Sequence, residues 1–165
     1  MSAWVEADLG PGARALFTTV EAGTLSLDVG DRATAPDARS RLARVVGAPI
    51  VFPVQVHGAA VLTVDDEAED GSVGEADALV TRSERALGIL VADCVPVLLA
   101  SADGLVVGAV HAGRRGVVAG VVAAAVEAMA AQGARREELR AVVGPAICGD
   151  CYEVPAELAG EVERA

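Results

Sequence analysis

Residues 86–110 read ALGILVADCVPVLLASADGLVVGAV, the strongest structural signal in the chain. The segment holds three apolar runs, Ala86–Ala92, Cys94–Ala100 and Leu105–Val110, which are separated by Asp, Ser and Gly residues. Short apolar runs between turn-forming residues are typical of strands that are buried on both faces. The segment therefore predicts three buried strands.

The flanking regions predict a mixture of helices and further strands. Downstream, Val117–Ala131 is rich in Ala and Val, and its length favours a buried helix over a strand. Upstream, Pro36–Val46 has apolar residues at helical spacing before Gly47, which predicts a surface helix. Other strands are predicted at Ala15–Val20, Ile50–Val56, Ala60–Val64 and Arg140–Val143, with a short one possible at Leu25–Val29. The acidic segment Asp65–Asp77 is expected to be a solvated loop, because it lacks the ligand pattern of an EF-hand.

Length and composition indicate one globular domain. The chain has 165 residues, 53% of them hydrophobic, and a net charge of −11. This acidity argues against nucleic-acid binding, since a phosphate backbone requires clustered positive charge. No apolar stretch reaches the ~20 residues of a membrane span, and the N-terminus does not resemble a secretory signal. We expect a cytoplasmic protein, a monomer or homodimer, that binds neither nucleic acid nor membranes.

The basic residues limit the possible chemistry. All 13 are Arg, which excludes a Schiff-base lysine and a P-loop lysine. The segment Leu105–Ala131 predicts a strand, a glycine-rich loop (residues 111–116, HAGRRG) and a helix. Backbone N–H groups in such a loop, together with Arg114 or Arg115, could bind an anion beside His111. The alternative is a tight turn whose arginines are solvated.

Three residues could form a metal site. The chain has two histidines, His57 and His111, and both lie at the ends of predicted strands beside a glycine or near one. With Cys94 they would provide two imidazoles and one thiolate, the type of three-ligand set that catalytic zinc uses. The alternative is that the three residues have separate structural roles. Asp93 interrupts the adjacent apolar run, and a carboxylate buried there would need a partner.

The two remaining cysteines form a C-x-x-C pair, Cys148 and Cys151. A structural four-cysteine zinc site would need a second pair, which the chain lacks. The pair is therefore either a dithiol or incidental. An odd total of three cysteines does not suggest a disulfide framework.

Five ordered motifs resemble the YfiH/laccase-domain family, also called multicopper polyphenol oxidase, purine nucleoside phosphorylase or peptidoglycan editing factor. The motifs are Gln55–Gly58, Asp77–Thr81, Ala92–Val97, His111–Gly116 and Gly144–Ile147 with Cys151–Val154. The resemblance implies a single-domain α/β (α+β) fold over residues 1–165, with a central mixed β-sandwich flanked by helices. It also implies a zinc ion held by His57, Cys94 and His111, which would be catalytic residues together with Arg115.

The implied activity is phosphorolysis of purine nucleosides such as adenosine, with adenosine deamination as a second activity. Purine nucleoside and phosphate would be the ligands, and the substrate-binding residues would be Gln55, Asp93, Arg41, Gly113 and Gly116. Copper oxidation is disfavoured, because one site with two His and one Cys cannot supply several copper centres. The alternatives are a metal-binding protein without turnover and an amidase that edits peptidoglycan precursors.

The chain also departs from the family pattern at several positions. Arg114 stands where the family usually has Trp, and Val20 stands where many members have Arg. Members of the family typically continue for several tens of residues beyond the Tyr-Glu-Val segment. We therefore expect the domain to lack the family's C-terminal segment.

Overall fold

The computed structural model describes residues 2–68 and 71–165 and has a mixed α/β fold, as the sequence predicts. In this part of the chain the strands are β1 (Trp4–Ala7), β2 (Ala15–Thr18), β3 (Ile50–Val54), β4 (Val61–Val64), β5 (Gly71–Glu75), β6 (Ala78–Thr81), β7 (Ala86–Leu87), β8 (Val95–Ala100), β9 (Val107–Ala112) and β10 (Arg140–Val143). The α-helices are α1 (Ala35–Val46), α2 (Arg114–Val118), α3 (Val121–Ala131) and α4 (Ala156–Glu163). None of the helices described is long and apolar enough to cross a membrane.

A five-stranded mixed sheet forms the centre of the molecule, in the order β10-β8-β9-β6-β4. The β4–β6 pair is parallel, and the other pairs are antiparallel. Two of the predicted apolar runs form the neighbouring strands β8 and β9, whose register places Pro96 opposite His111. The start of β8 and the end of β9 therefore lie at the same edge of the sheet.

Each face of this sheet is covered by a different layer. Strand β6 alternates between them: Ala78 and Val80 pack in a core with α3 residues such as Met129, whereas Leu79 packs with Val51 of β3. Strand β3 belongs to a second, parallel sheet in the order β5-β3-β7. The two sheets and α3 thus give the expected β-sandwich with a helix on its outer side.

Some predicted elements differ from the structure. The predicted helix from Val117 is divided into α2 and α3, because Gly120 adopts a left-handed φ of 82°. Strand β3 ends at Val54, two residues before the predicted Val56, and belongs to a different sheet from β4. The prediction of a short strand at Leu25–Val29 is wrong. The Ser26 hydroxyl accepts hydrogen bonds from the backbone N–H groups of Asp28 and Val29, and the chain bends there instead.

The other corrections concern the first apolar run and the acidic segment. Within Ala86–Ala92, only Ala86–Leu87 forms a strand. The backbone N–H and carbonyl groups of Leu90 form hydrogen bonds with the Gln55 side chain rather than with another strand. The acidic segment is not all loop, because β5 lies within it and pairs with β3. Glu69 and Asp70 of that segment lie outside the described residues.

Candidate metal centre

His57, Cys94 and His111 come together at one edge of the central sheet. Cys94 immediately precedes β8, and His111 lies near the end of the antiparallel neighbour β9. His57 lies in the loop between β3 and β4, with a positive φ of 60° that non-glycine residues adopt only rarely. Their possible ligand atoms all lie within 4.8 Å of one another. This His-Cys-His group could bind a metal ion.

The three side chains form a cluster that is closed on one side and open on the other. His111 is buried, Cys94 is partly buried and His57 is exposed. The Cys94 Sγ lies 3.9 Å from His57 Nε2, and the two imidazole rings meet edge to face with centroids 4.7 Å apart. A three-ligand cluster with one accessible side matches catalytic metal sites, which keep a coordination position open.

Gly113 provides the space that the cluster requires. A Cβ atom at this position would lie 3.1 Å from His57 Cδ2, 3.2 Å from Cys94 Sγ and 3.5 Å from His111 Cε1. The absence of a side chain therefore leaves a gap that all three donor residues border. The gap and the donor chemistry both fit a metal ion.

Asp77 orients the cluster, a role that the sequence analysis missed. Its completely buried carboxylate accepts a hydrogen bond of 2.8 Å from His111 Nδ1 and others from the backbone N–H groups of Val56, His57 and Gly58. Because an ionised carboxylate can only accept, the proton of neutral His111 is on Nδ1 and its Nε2 has a free lone pair. One carboxylate thus positions the ring of His111 and the loop that carries His57.

The pKa values of Asp77 and Cys94 are shifted in opposite directions. Burial by itself raises the pKa of the Asp77 carboxyl group, but the hydrogen bonds from His111 and the backbone outweigh it and lower that pKa below its ordinary value. Burial, followed by the negative charges of Asp93 and Asp77, raises the pKa of the Cys94 thiol. Metal-free Cys94 is therefore held as a thiol, and metal binding would release its proton.

Gln55 and Asp93, two of the predicted substrate-binding residues, have different surroundings near the cluster. The Gln55 amide is paired with the backbone of Leu90, donating to its carbonyl and accepting from its N–H, each at 2.7 Å. This pairing ties the end of β3 to the segment that leads to Cys94. Asp93 is exposed, and its backbone carbonyl accepts the N–H of Ile147. The signal of a buried acid thus belongs to Asp77, which directly precedes the apolar strand β6, rather than to Asp93.

A cavity of about 300 Å³ lies beside the cluster. It is lined by His57, Gly58, Arg114, Arg115, Val118, Ala119 and Glu161. Arg114 is bound by Glu161 of α4 at 3.2 Å, whereas exposed Arg115 makes no salt bridge to any of the residues that the structure describes. Arg115 is therefore the better placed of the two to bind an incoming anion.

The remaining predicted residues, Gly116 and Arg41, lie in different parts of the structure. Gly116 is buried, and a Cβ there would lie 2.8 Å from the carbonyl oxygen of Gly58, so its small size allows α2 to approach the His57 loop. Arg41 is not in this cavity. It lines a different one of about 490 Å³, with Trp4 among its neighbours, and donates to the backbone carbonyl of Ala22.

A His-Cys-His cluster that could hold a metal, buried on one side and open to an arginine-lined cavity on the other, defines a candidate metalloenzyme. The chain belongs to the family described as multi-copper polyphenol oxidoreductase laccase, whose model matches residues 14–165.

Named relatives and a solved structure agree with this assignment. The chain is 52% identical over 143 residues to purine nucleoside phosphorylase ORF3 of Streptomyces griseus, covering 83% of this chain and 58% of the relative. It is 36% identical over 140 residues to adenosine deaminase RL5 of an unknown prokaryotic organism, covering 78% and 53%. YlmD of Geobacillus stearothermophilus has a similar structure, with a TM-score of 0.88 at 27% identity, covering 99% of this chain and 69% of that one. The chain thus spans less than two thirds of the length of these two curated relatives.

Proposed function

We propose that the protein is a zinc-dependent purine nucleoside phosphorylase that cleaves adenosine and related nucleosides with phosphate, and that it also deaminates adenosine. The observation that carries this proposal is the meeting of the His57, Cys94 and His111 donor atoms beside a cavity lined by Arg115. The relatives named as a purine nucleoside phosphorylase and as an adenosine deaminase support the same class of substrate.

The donor set favours zinc over copper. Two imidazoles and one thiolate are common zinc ligands. A blue-copper centre uses the same three donors but adds a weak axial ligand, commonly Met, and Met129 of α3 is packed in the core instead. When bound, zinc supplies Lewis-acid activation of water, the chemistry that attack at the purine C6 requires.

Arg115 is proposed to bind the phosphate. Arg115 lines the cavity beside His57 and makes no salt bridge to a carboxylate among the described residues, and Arg–phosphate pairs are strong and directional. The cavity is near the lower end of the roughly 300–1,000 Å³ of small-ligand sites. In the reaction, a phosphate oxygen attacks C1′ of the ribose and the C1′–N9 bond breaks. The electron pair of that bond goes to the purine, which takes up a proton, and ribose-1-phosphate is released.

The surrounding residues maintain this geometry. Asp77 fixes the tautomer of His111, Gln55 restrains the segment before Cys94, and Gly113 leaves the gap between the donors. Held in this way, the cluster and the arginine need little rearrangement when substrate binds, which is the condition for efficient electrostatic catalysis.

The test is to incubate the zinc-loaded protein with adenosine, with and without phosphate, and to separate the products by chromatography. We expect adenine and ribose-1-phosphate only when phosphate is present, and inosine in both conditions. Zinc binding with none of these products would contradict the proposal and favour a metal-binding protein without turnover.

Arginine variants test the phosphate site. Arg115→Ala should reduce phosphorolysis far more than deamination, because only phosphorolysis needs a bound anion. Arg114→Ala should have a smaller effect, since Glu161 already pairs with that residue. Arg41→Ala, which removes an arginine from the other cavity, is the matched control and should leave the ratio of the two activities unchanged. Equal loss of both activities in Arg115→Ala, at unchanged zinc content, would refute a dedicated phosphate role.

A further inference from the structure

Cys148 and Cys151 form a pair of thiols outside the candidate metal centre. Both side chains are exposed, and their sulfur atoms lie 3.0 Å apart. The backbone makes one tight turn here, because the N–H groups of Cys151 and Tyr152 donate to the carbonyl oxygen of Cys148 at 3.0 and 3.1 Å. This turn brings the two side chains together on one side of an accessible loop.

The surroundings of the pair favour thiol chemistry over metal binding. Within residues 2–68 and 71–165, the one group of three or more His, Cys, Asp or Glu side chains placed to hold a metal is His57, Cys94 and His111. A dithiol that has no third donor cannot close a structural zinc site. Two close, solvent-accessible thiols have instead the arrangement of dithiols that exchange with disulfides.

The two thiols are not equivalent. When Cys148 is ionised, the hydrogen bond between the two sulfurs stabilises its thiolate and so lowers the pKa of Cys148. The same interaction raises the pKa of Cys151. Cys148 is therefore the thiol that ionises first and is the better nucleophile near neutral pH.

We propose that Cys148 and Cys151 form a reversible thiol–disulfide exchange site for low-molecular-weight disulfides, with Cys148 as the attacking thiol and Cys151 as the resolving thiol. The inference is independent of the proposed nucleoside chemistry. It assigns this exposed loop a redox reaction in which neither zinc nor the arginine-lined cavity takes part.

The reaction balances in two steps. The Cys148 thiolate attacks one sulfur of the small disulfide, whose S–S bond breaks to release one thiolate, and a mixed disulfide forms on Cys148. Cys151 then loses its proton and attacks the Cys148 sulfur, which releases the second thiolate. Two electrons pass from the protein dithiol to the small disulfide, and the two thiolates take up the two protons that the protein has lost.

The fold makes the second step a local one. The sulfurs must approach from 3.0 Å to about 2.0 Å, the length of a disulfide bond. The preceding part of the loop is anchored to the central sheet, because the N–H groups of Gly144 and Ile147 donate to the carbonyls of Pro96 and Asp93. Ring closure can therefore occur within the turn at residues 148–151.

The experiment treats the protein as purified with oxidised glutathione, blocks the remaining thiols with an alkylating reagent and measures masses. In the wild-type protein we expect loss of two alkylation sites with no glutathione retained, which indicates an internal disulfide. Cys151→Ser should retain one glutathione on Cys148, because the resolving thiol is missing. Cys148→Ser lacks the attacking thiol and should form no internal disulfide, and circular dichroism checks that both variants are folded.

A pH series completes the test. In the wild type, limited alkylation followed by peptide mass mapping should modify Cys148 at a lower pH than Cys151. Wild-type protein that retains two glutathiones would overturn the proposal, as would equal alkylation of Cys148 and Cys151 at every pH. Partly buried Cys94 is the internal control and should be alkylated more slowly than the exposed Cys148.

Discussion

Replacing Asp77 by Asn tests the idea that one buried carboxylate positions both histidines. Oδ1 of Asp77 accepts from His111 Nδ1 at 2.8 Å and from the His57 N–H at 2.9 Å, and Oδ2 accepts from the N–H groups of Val56 and Gly58 at 3.3 and 2.6 Å. The amide of Asn has the same shape but only one acceptor oxygen. With its NH₂ group in the Oδ2 position, the N–H groups of Val56 and Gly58 are left unpaired. With the NH₂ group in the Oδ1 position, the His57 N–H is left unpaired, and His111 can accept only as the tautomer protonated on Nε2, the nitrogen that a metal would need.

The expected cost follows from this count. An unpaired buried donor costs about 1–3 kcal/mol, so one or two of them should lower the free energy of unfolding by roughly 1–6 kcal/mol. Loss of a hydrogen-bond partner behind a metal ligand typically costs about 10–100-fold in metal affinity. Asp77→Asn should therefore be destabilised and bind zinc more weakly.

Two assays measure these effects. Urea denaturation followed by circular dichroism gives the free energy of unfolding of the metal-free protein, and competition with a chromophoric chelator gives the zinc affinity. Asp93→Asn is the matched control: it removes an exposed acid next to Cys94, and its unfolding free energy should stay within about 0.5 kcal/mol of the wild type. If Asp77→Asn matched the wild type in both assays, the positioning role of Asp77 would be refuted.

The same variant predicts a pH effect in the metal-free protein. The pKa of Asp77 is lowered in the folded state, so its stabilising contribution is present above the unfolded pKa of about 3.9 and is lost as the pH falls through the lower folded value. The difference in stability between wild type and Asp77→Asn should therefore narrow as the pH falls below about 4. A difference that widened with acidification would contradict the role of the ionised carboxylate.

Two further predictions concern the space in the cluster and the origin of its ligands. Gly113→Ala should weaken zinc binding, because its Cβ would crowd all three donor residues, whereas Gly149→Ala, whose Cβ meets nothing within 4 Å, should not; equal affinities by chelator competition would contradict this. The double variant Cys148→Ser/Cys151→Ser should retain zinc with at most a modest loss of stability, as measured by elemental analysis and urea denaturation. Release of zinc by this variant, together with its retention by Cys94→Ala, would reverse the ligand assignment.

Elements set by local sequence could be predicted well. The predicted helix Pro36–Val46 differs from α1 by one residue at its start. Apolar residues at helical spacing indicate this helix, and Gly47, with a left-handed φ of 84°, ends it. The two apolar runs at Cys94–Ala100 and Leu105–Val110 were correctly predicted as strands. In these cases the deciding interactions lie within a few residues of one another.

Features that depend on contacts between residues far apart in the sequence are harder to predict. After β7 ends at Leu87, the backbone of Leu90 is paired with the side chain of Gln55, which lies 35 residues before Leu90 in the sequence. The sequence of β3 and of β4 indicates a strand in each case, but it does not indicate which strands each one pairs with. Their placement in different sheets therefore could not be predicted.

The candidate site shows the same division between local and distant signals. Residue types suggested His57, Cys94 and His111, but their convergence depends on the pairing of β8 with β9 and on the loop held by Asp77. Asp77 could have been recognised as an acid directly before the apolar run Ala78–Val80. Arg41 could not be placed from the sequence, because nothing local indicates which cavity a surface helix borders.

The most direct test of the account is the zinc content of the protein as purified, measured by elemental analysis beside that of Cys94→Ala. Two imidazoles and one thiolate are sufficient donors for a catalytic-type site, so the wild type should hold about one zinc ion per chain. Cys94→Ala should hold far less, because it loses the thiolate while the fold around Asp77 is retained. Equal, near-zero zinc in the two proteins, or copper in place of zinc in the wild type, would contradict the proposed centre.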